Sequence, residues 1–361
     1  MKKFIVAAAS LFMSASLFAY NPPAGGQNSL RITSPELLTG AKSAAGGPLL
    51  HVTPDSILNN PALPGFNQRS TLTAGGTLLF DSADDDHSLG GGFELGILLA
   101  NRWCVPTAII QGVFVPYEHM QLGNSMNLTL GYAKDITDSV SVGLSGNVGL
   151  LWGFESDWTA SAALGAYWNY GDIKFLKNVR FGSAITNLGK MYTKTTVNGI
   201  KTTNITLSNG TSAEIYDDAS MWPGIATLRI GSAATLVDAE NFKFGLSADF
   251  AFPGFQDFVF DAGLQMQFFK IIKLSSSWEF DVQEFANDAK NILPSVGLSF
   301  NFIFKSNNEK LSSKGWEQSE VTTSAAWQRM YQNVDAVSAG IEVDLGLKDT
   351  QAPEITMWGD N

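Results

Sequence analysis

The sequence predicts an all-β protein, a transmembrane antiparallel β-barrel of about fourteen strands. Three observations carry that expectation. Beyond residue 67, apolar and polar residues alternate with a period of two, a pattern that a strand sorts onto two faces and a helix smears around its circumference. Charged residues make up 16% of the chain, against roughly 25% in an ordinary soluble protein, while aromatics reach 11% and glycines number 35. No apolar run after the N-terminus reaches about 18 residues, so helices are not the spanning element.

Taken in order, residues 1–19 read as a secretory signal peptide. Lys2 and Lys3 supply a charged start, Phe4 to Phe12 form an apolar stretch too short to span a bilayer, and small residues lead to Ala19. Export and the barrel together place the protein in the outer membrane of a bacterium. Residues 28–66 carry neither a strand nor a helix period.

Strands are then predicted at 69–81, 88–100, 103–116, 124–134, 139–153, 157–170, 179–189, 223–237, 241–253, 257–269, 271–282, 294–305, 319–331 and 335–347. Phe242, Phe244, Leu246, Ala248, Phe250 and Phe252 share one face, while Lys243, Gly245, Ser247 and Asp249 share the other. The same rule sends Phe260 and Phe302 outward, and Gln265 and Ser299 inward. Turn signals separate the strands at Lys134–Asp138, Asp238–Asn241 and Phe252–Phe255. The longest connection is 190–222, expected on the outer side. The 306–318 connection is too long for a scheme that puts short turns on the inner side.

A soluble sandwich would show the same alternation. The barrel is preferred because the strands are long against a usual mode of roughly 5–6 residues. Their polar faces are also rich in Gly, Ser, Thr and Asn rather than Lys and Glu. Trp103, Tyr117, Trp152, Trp168, Tyr170 and Trp222 fall at strand ends, where a membrane barrel carries its aromatic girdles. A polar tail, 348–361, follows the last strand.

Three stretches bear a family likeness. The first runs Gly40-Ala41-Lys42-Ser43-Ala44-Ala45-Gly46-Gly47, then Asp55, then Asn59-Asn60-Pro61-Ala62-Leu63. The second is Arg180-Phe181-Gly182-Ser183-Ala184-Ile185-Thr186-Asn187-Leu188-Gly189, and the third Trp222-Pro223-Gly224 with Leu228-Arg229-Ile230-Gly231. In this order they resemble the FadL-like outer-membrane proteins, including the PorV/PorQ branch and related spirochaete proteins of unassigned role. Leu63 departs from the glycine common after Asn-Pro-Ala, and the chain does not close on an aromatic. The resemblance implies a fourteen-stranded barrel with an N-terminal plug, here 20–66, ahead of a barrel at 67–347. It also implies passive diffusion of hydrophobic small molecules such as long-chain fatty acids. Two other readings stay open: a PorV-like barrel that handles secreted or surface proteins, and a structural β protein that transports nothing.

Within that plug Leu37, Leu38, Leu49, Leu50, Ile57 and Leu58 are the candidate packing or ligand-lining residues. Asn60, Pro61 and Ala62 are the expected turn from plug to first strand, with proline fixing φ. The expected partners are membrane lipid and a hydrophobic ligand.

The remaining candidates are weaker. A net charge of −11 with no basic run argues against nucleic acid. His51, His87 and His119 show no partner at catalytic spacing, and with the single Cys104 they suit no structural zinc site, so neither an enzyme nor a cofactor or metal is expected. Asp84-Asp85-Asp86 reads as a solvated loop, and Gly90-Gly91-Gly92 lacks the following helix of a phosphate cradle. The inward-facing Arg229, Asp249, Asp261, Glu279, Asp281, Glu342 and Asp344 are expected to pair across the barrel, or else to set a selectivity field.

Overall fold

The computed structural model describes residues 30–39, 42–81, 89–101, 103–115, 124–152, 156–192, 198–206, 212–218, 226–282, 285, 293–305, 309, 318–331 and 334–345. The expected signal peptide and polar tail, Asp84-Asp85-Asp86, His87, His119, Tyr117 and Trp222 lie outside them.

Period-two alternation becomes a wall. Its strands are β1 (Ser70–Asp81), β2 (Leu89–Leu98), β3 (Val105–Phe114), β4 (Asn124–Thr137), β5 (Val140–Trp152), β6 (Asp157–Ile173) and β7 (Leu176–Lys190). After a separate hairpin of β8 (Asn198–Thr206) and β9 (Ser212–Asp218) come β10 (Thr227–Ala239), β11 (Phe242–Phe252) and β12 (Val259–Phe268). The wall ends with β13 (Ile272–Asp281), β14 (Ser295–Lys305), β15 (Gln318–Tyr331) and β16 (Val334–Leu345). Every neighbouring pair is antiparallel; β7 pairs with β10, and β1 pairs with β16 from Ser70↔Leu345 to Asp81↔Val334, closing a fourteen-stranded barrel. Closure leaves no sheet edge, which in hydrocarbon would cost several kcal/mol for each unpaired backbone group.

Three expectations need correction. The 190–222 connection holds the β8–β9 hairpin rather than loop alone. Lys134–Asp138 is not all turn: β4 continues to Thr137 through a bulge between Asp135 and Thr137, and Thr137 Oγ1 then accepts the Val140 amide at 3.0 Å. Asp238 and Ala239 likewise stay in β10, so the turn begins at Glu240.

The two faces separate as the alternation demands. Leu72, Leu95, Leu130, Leu144, Leu164, Leu246, Phe250, Leu274 and Ile341 face outward, forming an apolar exterior of the kind a transmembrane barrel presents to lipid. Phe302 is 48% exposed while Ser299, three residues earlier, is 5% exposed, and Gln265 is 1% exposed. Phe260 lies on the outer face against Phe250, ring centroids 5.2 Å apart. Trp103, Trp152, Trp168 and Tyr170 are exposed, and Trp168 packs edge-on against Tyr170 at 5.1 Å.

Residues 30–39 and 42–66 lie inside the barrel and run round its inner surface. A short helix, α1 (Pro35–Thr39), rests against β13 to β16. The stretch 43–49 crosses β7, β10 and β11, a 3₁₀ turn at Pro54–Leu58 meets β1 to β3, and another at Leu63–Phe66 meets β4 and β5. Wall glycines make this fit. A Cβ at Gly143 would overlap the Pro61 carbonyl, and one at Gly182 the Ala44 carbonyl. On the opposite side a Cβ at Gly75 would come 2.9 Å from the Thr33 oxygen. The enclosed chain approaches as backbone, so the wall must be bare of side chain there.

The barrel lumen as candidate functional site

An irregular segment cannot satisfy its own amides and carbonyls, and inside the barrel little water reaches them. Wall side chains supply the partners. Arg180 donates to the Gly47 and Pro48 carbonyls at 2.8 and 2.9 Å. Gln111 donates to the Leu30 carbonyl at 2.6 Å, and Ser141 to that of Ala62 at 2.8 Å. Asp249 accepts the Ala44 amide at 2.7 Å, and Gln265 accepts that of Leu49 at 2.9 Å. Arg229 donates both to the Lys42 carbonyl and to Asp249. The polar inner faces that the alternation placed toward the lumen therefore cap a foreign backbone.

Ion pairs add a second set of ties. Lys273 reaches both Glu36 oxygens at 3.1 and 3.2 Å, with the Ser299 and Ser324 hydroxyls at 3.4 and 3.3 Å. Burial works to raise the Glu36 carboxyl, but the Lys273 charge and these hydrogen bonds prevail and hold it below the usual range. His51 Nε2 lies 2.6 Å from Glu342. Burial opposes the imidazolium, yet the Glu342 carboxylate outweighs it and raises His51 to about 9, so the ring is cationic at neutral pH. Arg31 and Lys42 approach Glu279 at 3.8 and 3.6 Å. Asp55 accepts from Ser34 Oγ at 2.5 Å and from Thr53 Oγ1, and burial pushes its carboxyl upward.

The expectation that inward-facing charges pair across the barrel is therefore met only in part. Arg229 and Asp249 pair on adjacent strands, whereas Glu279 and Glu342 take their partners from the enclosed segment. Asp344 accepts from Thr71 at 2.6 Å, Asp261 is buried, and Asp281 borders an open space described below. His51 has a partner that its sequence surroundings do not disclose. Gly90-Gly91-Gly92 lies in the wall within β2.

The six apolar candidates are not brought together. Leu37 and Leu38 are fully buried, Leu38 in a packed cluster with Ile32, Leu79, Val113 and Met330. Ile57 and Leu58 border a cavity of about 90 Å³ at the end of the barrel that carries the hairpin. Its walls mix apolar groups with the polar side chains of Thr129, Ser145, Asn147, Ser161 and Arg229. Leu49 and Leu50 border a separate space of about 200 Å³ at the opposite end, beside His51, Lys273, Glu320 and Asp344. Asn60 is fully buried: its side-chain amide donates to the Ala44 and Ala166 carbonyls at 2.7 and 2.9 Å, and its Oδ1 accepts the Ala62 amide at 2.9 Å. Asn60-Pro61-Ala62 is thus a turn pinned to the wall, but the Leu63–Phe66 turn intervenes before β1.

No protein-family model matches the chain, and no curated protein does. Solved structures do. The Pseudomonas putida toluene transporter TodX superposes with a TM-score of 0.51 at 12% identity, covering 84% of this chain and 97% of that one. A deltaS2 mutant of the TodX monoaromatic hydrocarbon channel gives 0.52 at 8%, covering 89% and 100%. A Pseudomonas aeruginosa FadL homologue gives 0.49 at 9%, covering 92% and 100%. The first two establish a shared barrel fold.

Proposed function

We propose that the protein is an outer-membrane channel through which small hydrophobic molecules, long-chain fatty acids among them, diffuse passively, with residues 30–66 acting as a displaceable plug. One observation carries this reading: a fourteen-stranded barrel encloses a segment held by side-chain ties rather than by strand pairing. Pockets for drug-sized ligands run to about 300–1,000 Å³. The two lumenal spaces of about 90 and 200 Å³ fall short of that, so passage requires the segment to yield. Each tie contributes about 0.5–3 kcal/mol, the upper end where a charged side chain takes part, and separate ties can open a few at a time. The fold shared with a toluene transporter supports the same reading.

Deletion of 28–58 tests it. The deleted protein is expected to keep a folded, heat-modifiable barrel, to admit small sugars into liposomes, and to lose saturable uptake of labelled oleate. Intact sugar exclusion together with intact oleate uptake would show that the segment is no plug.

A further inference from the structure

The cavity of about 90 Å³ at the hairpin end is lined along one side by Leu30, Ile57 and Leu58 of the enclosed segment. The strands supply an opposite side rich in hydroxyl and amide groups. Thr129 is 3% exposed, and neither its hydroxyl nor the Asn147 Oδ1 has a hydrogen-bond partner among the described residues. A buried polar atom left unpaired is costly, so two such atoms on one cavity wall mark a place where a ligand group completes the bonding. The charges nearby leave no surplus cation. Arg229 pairs with Asp249, and Arg31 and Lys42 both face Glu279, with the buried Asp261 opposite Glu279 on β12 and Asp281 in the lining. An incoming carboxylate would meet Glu279 and Asp281 without an unmatched cation, and an unpaired buried charge is strongly disfavoured. A hydroxyl both donates and accepts, so it satisfies Asn147 Oδ1 and Thr129 together.

We propose that this cavity of about 90 Å³ binds the uncharged, hydroxyl-bearing head of an amphiphile, with the first carbons of its chain meeting Leu30, Ile57 and Leu58 and the rest lying outside it. The inference rests on the channel reading above and ranks its cargo: fatty acids pass, but an amphiphile with an uncharged hydroxyl head binds this cavity more tightly. The head enters a site built from β4 and β5, and Thr129 sets specificity for it.

The test uses the full chain in lipid nanodiscs, free of sugar-headed detergents that would compete. Monolaurin and laurate, which share one alkyl chain, are compared at pH 8 by calorimetric titration. Monolaurin is expected to bind at least tenfold more tightly than laurate. Thr129→Val keeps the side-chain shape and removes the hydroxyl, and should shrink that preference to about threefold or less. Laurate binding as tightly as monolaurin, or a preference untouched by Thr129→Val, overturns the assignment. A liposome assay separates the two readings. Permeation of both probes without a difference in affinity defeats the head-group assignment alone, whereas permeation of neither defeats the channel reading with it.

Discussion

The wall and the segment it encloses obey opposite rules. Each wall strand finds its backbone partners on the next strand, as in the continuous register from Val259↔Asp281 to Phe268↔Ile272 between β12 and β13. The enclosed segment finds partners on side chains scattered over the whole circumference, from Gln111 on β3 to Gln265 on β12. A strand is therefore held by a repeating, cooperative ladder and the segment by separate ties. The difference teaches why polar residues line a lumen that holds so little open space. They stand in for the water and the strand neighbours that the segment lacks.

The largest expected effect comes from attacking the wall on its lipid side. Phe302→Arg puts a cation on the outer face at a cost of up to about 2–4 kcal/mol near the bilayer midplane, falling toward the interfaces. Assembly into liposomes, read by heat-modifiable gel mobility, should fall sharply. Ser299→Arg should leave assembly intact, but not silently, because Ser299 borders the Glu36–Lys273 tie. Equal assembly defects in the two variants would abolish the distinction between the faces.

A smaller effect should leave the wall whole and move only what it encloses. Gly143→Leu drives a side chain into the Pro61 carbonyl, whereas Gly146→Leu on the same strand meets nothing closer than 3.9 Å from its Cβ. Conductance across planar bilayers should rise for the first variant and match the parent for the second. Arg180→Met should be milder, since uncapping the Gly47 and Pro48 carbonyls costs about 1–3 kcal/mol. Faster amide exchange at Gly47, Leu49 and Leu50, with the β7 amides still protected, would sharpen the contrast between ladder and tie.

The smallest effect is a titration. His51 ionises at about 9 in the folded protein, above an unfolded value of about 6.5. Its pairing with Glu342 thus contributes fully below about pH 6.5 and is lost as pH rises through 9. Histidine-labelled NMR should give one midpoint near 9 that disappears in His51→Gln and falls in Glu342→Gln. Glu36 and Asp344 also face this ring, while Lys273 opposes its charge, so an unchanged midpoint in Glu342→Gln would transfer the credit to these two carboxylates.

Much of the wall is legible in the sequence because a strand writes its two environments in alternate residues. Leu246 and Asp249, or Phe302 and Ser299, declare their faces through residue type alone. The β8–β9 hairpin is harder to read, although Asn209-Gly210 falls between its strands as a hairpin signal. The partners of the enclosed segment are not legible at all. Arg180 and Gln265 bind main-chain atoms, which every residue possesses, so nothing at positions 47–49 identifies them. A subtler signal is present in the inward-facing glycines: Gly75, Gly143 and Gly182 occupy wall positions where another backbone comes close. The six apolar candidates for packing or ligand lining divide between packed interior and two separate spaces, because leucine marks burial without saying against what.

The pairing of β1 with β16 also governs the order of assembly. The seam joins residue 70 to residue 345, so the sheet remains open until its last strand has formed and registered against its first. Residues 30–66 precede β1 and end up surrounded. If they settle onto the growing sheet before the seam zips, enclosure needs no threading. If they arrive afterwards, a chain carrying Arg31, Lys42 and Asp55 has to pass through a finished ring. Refolding with β16 withheld as a separate peptide separates the two orders: a segment already docked on the open, curved sheet shows the first, and an undocked one the second.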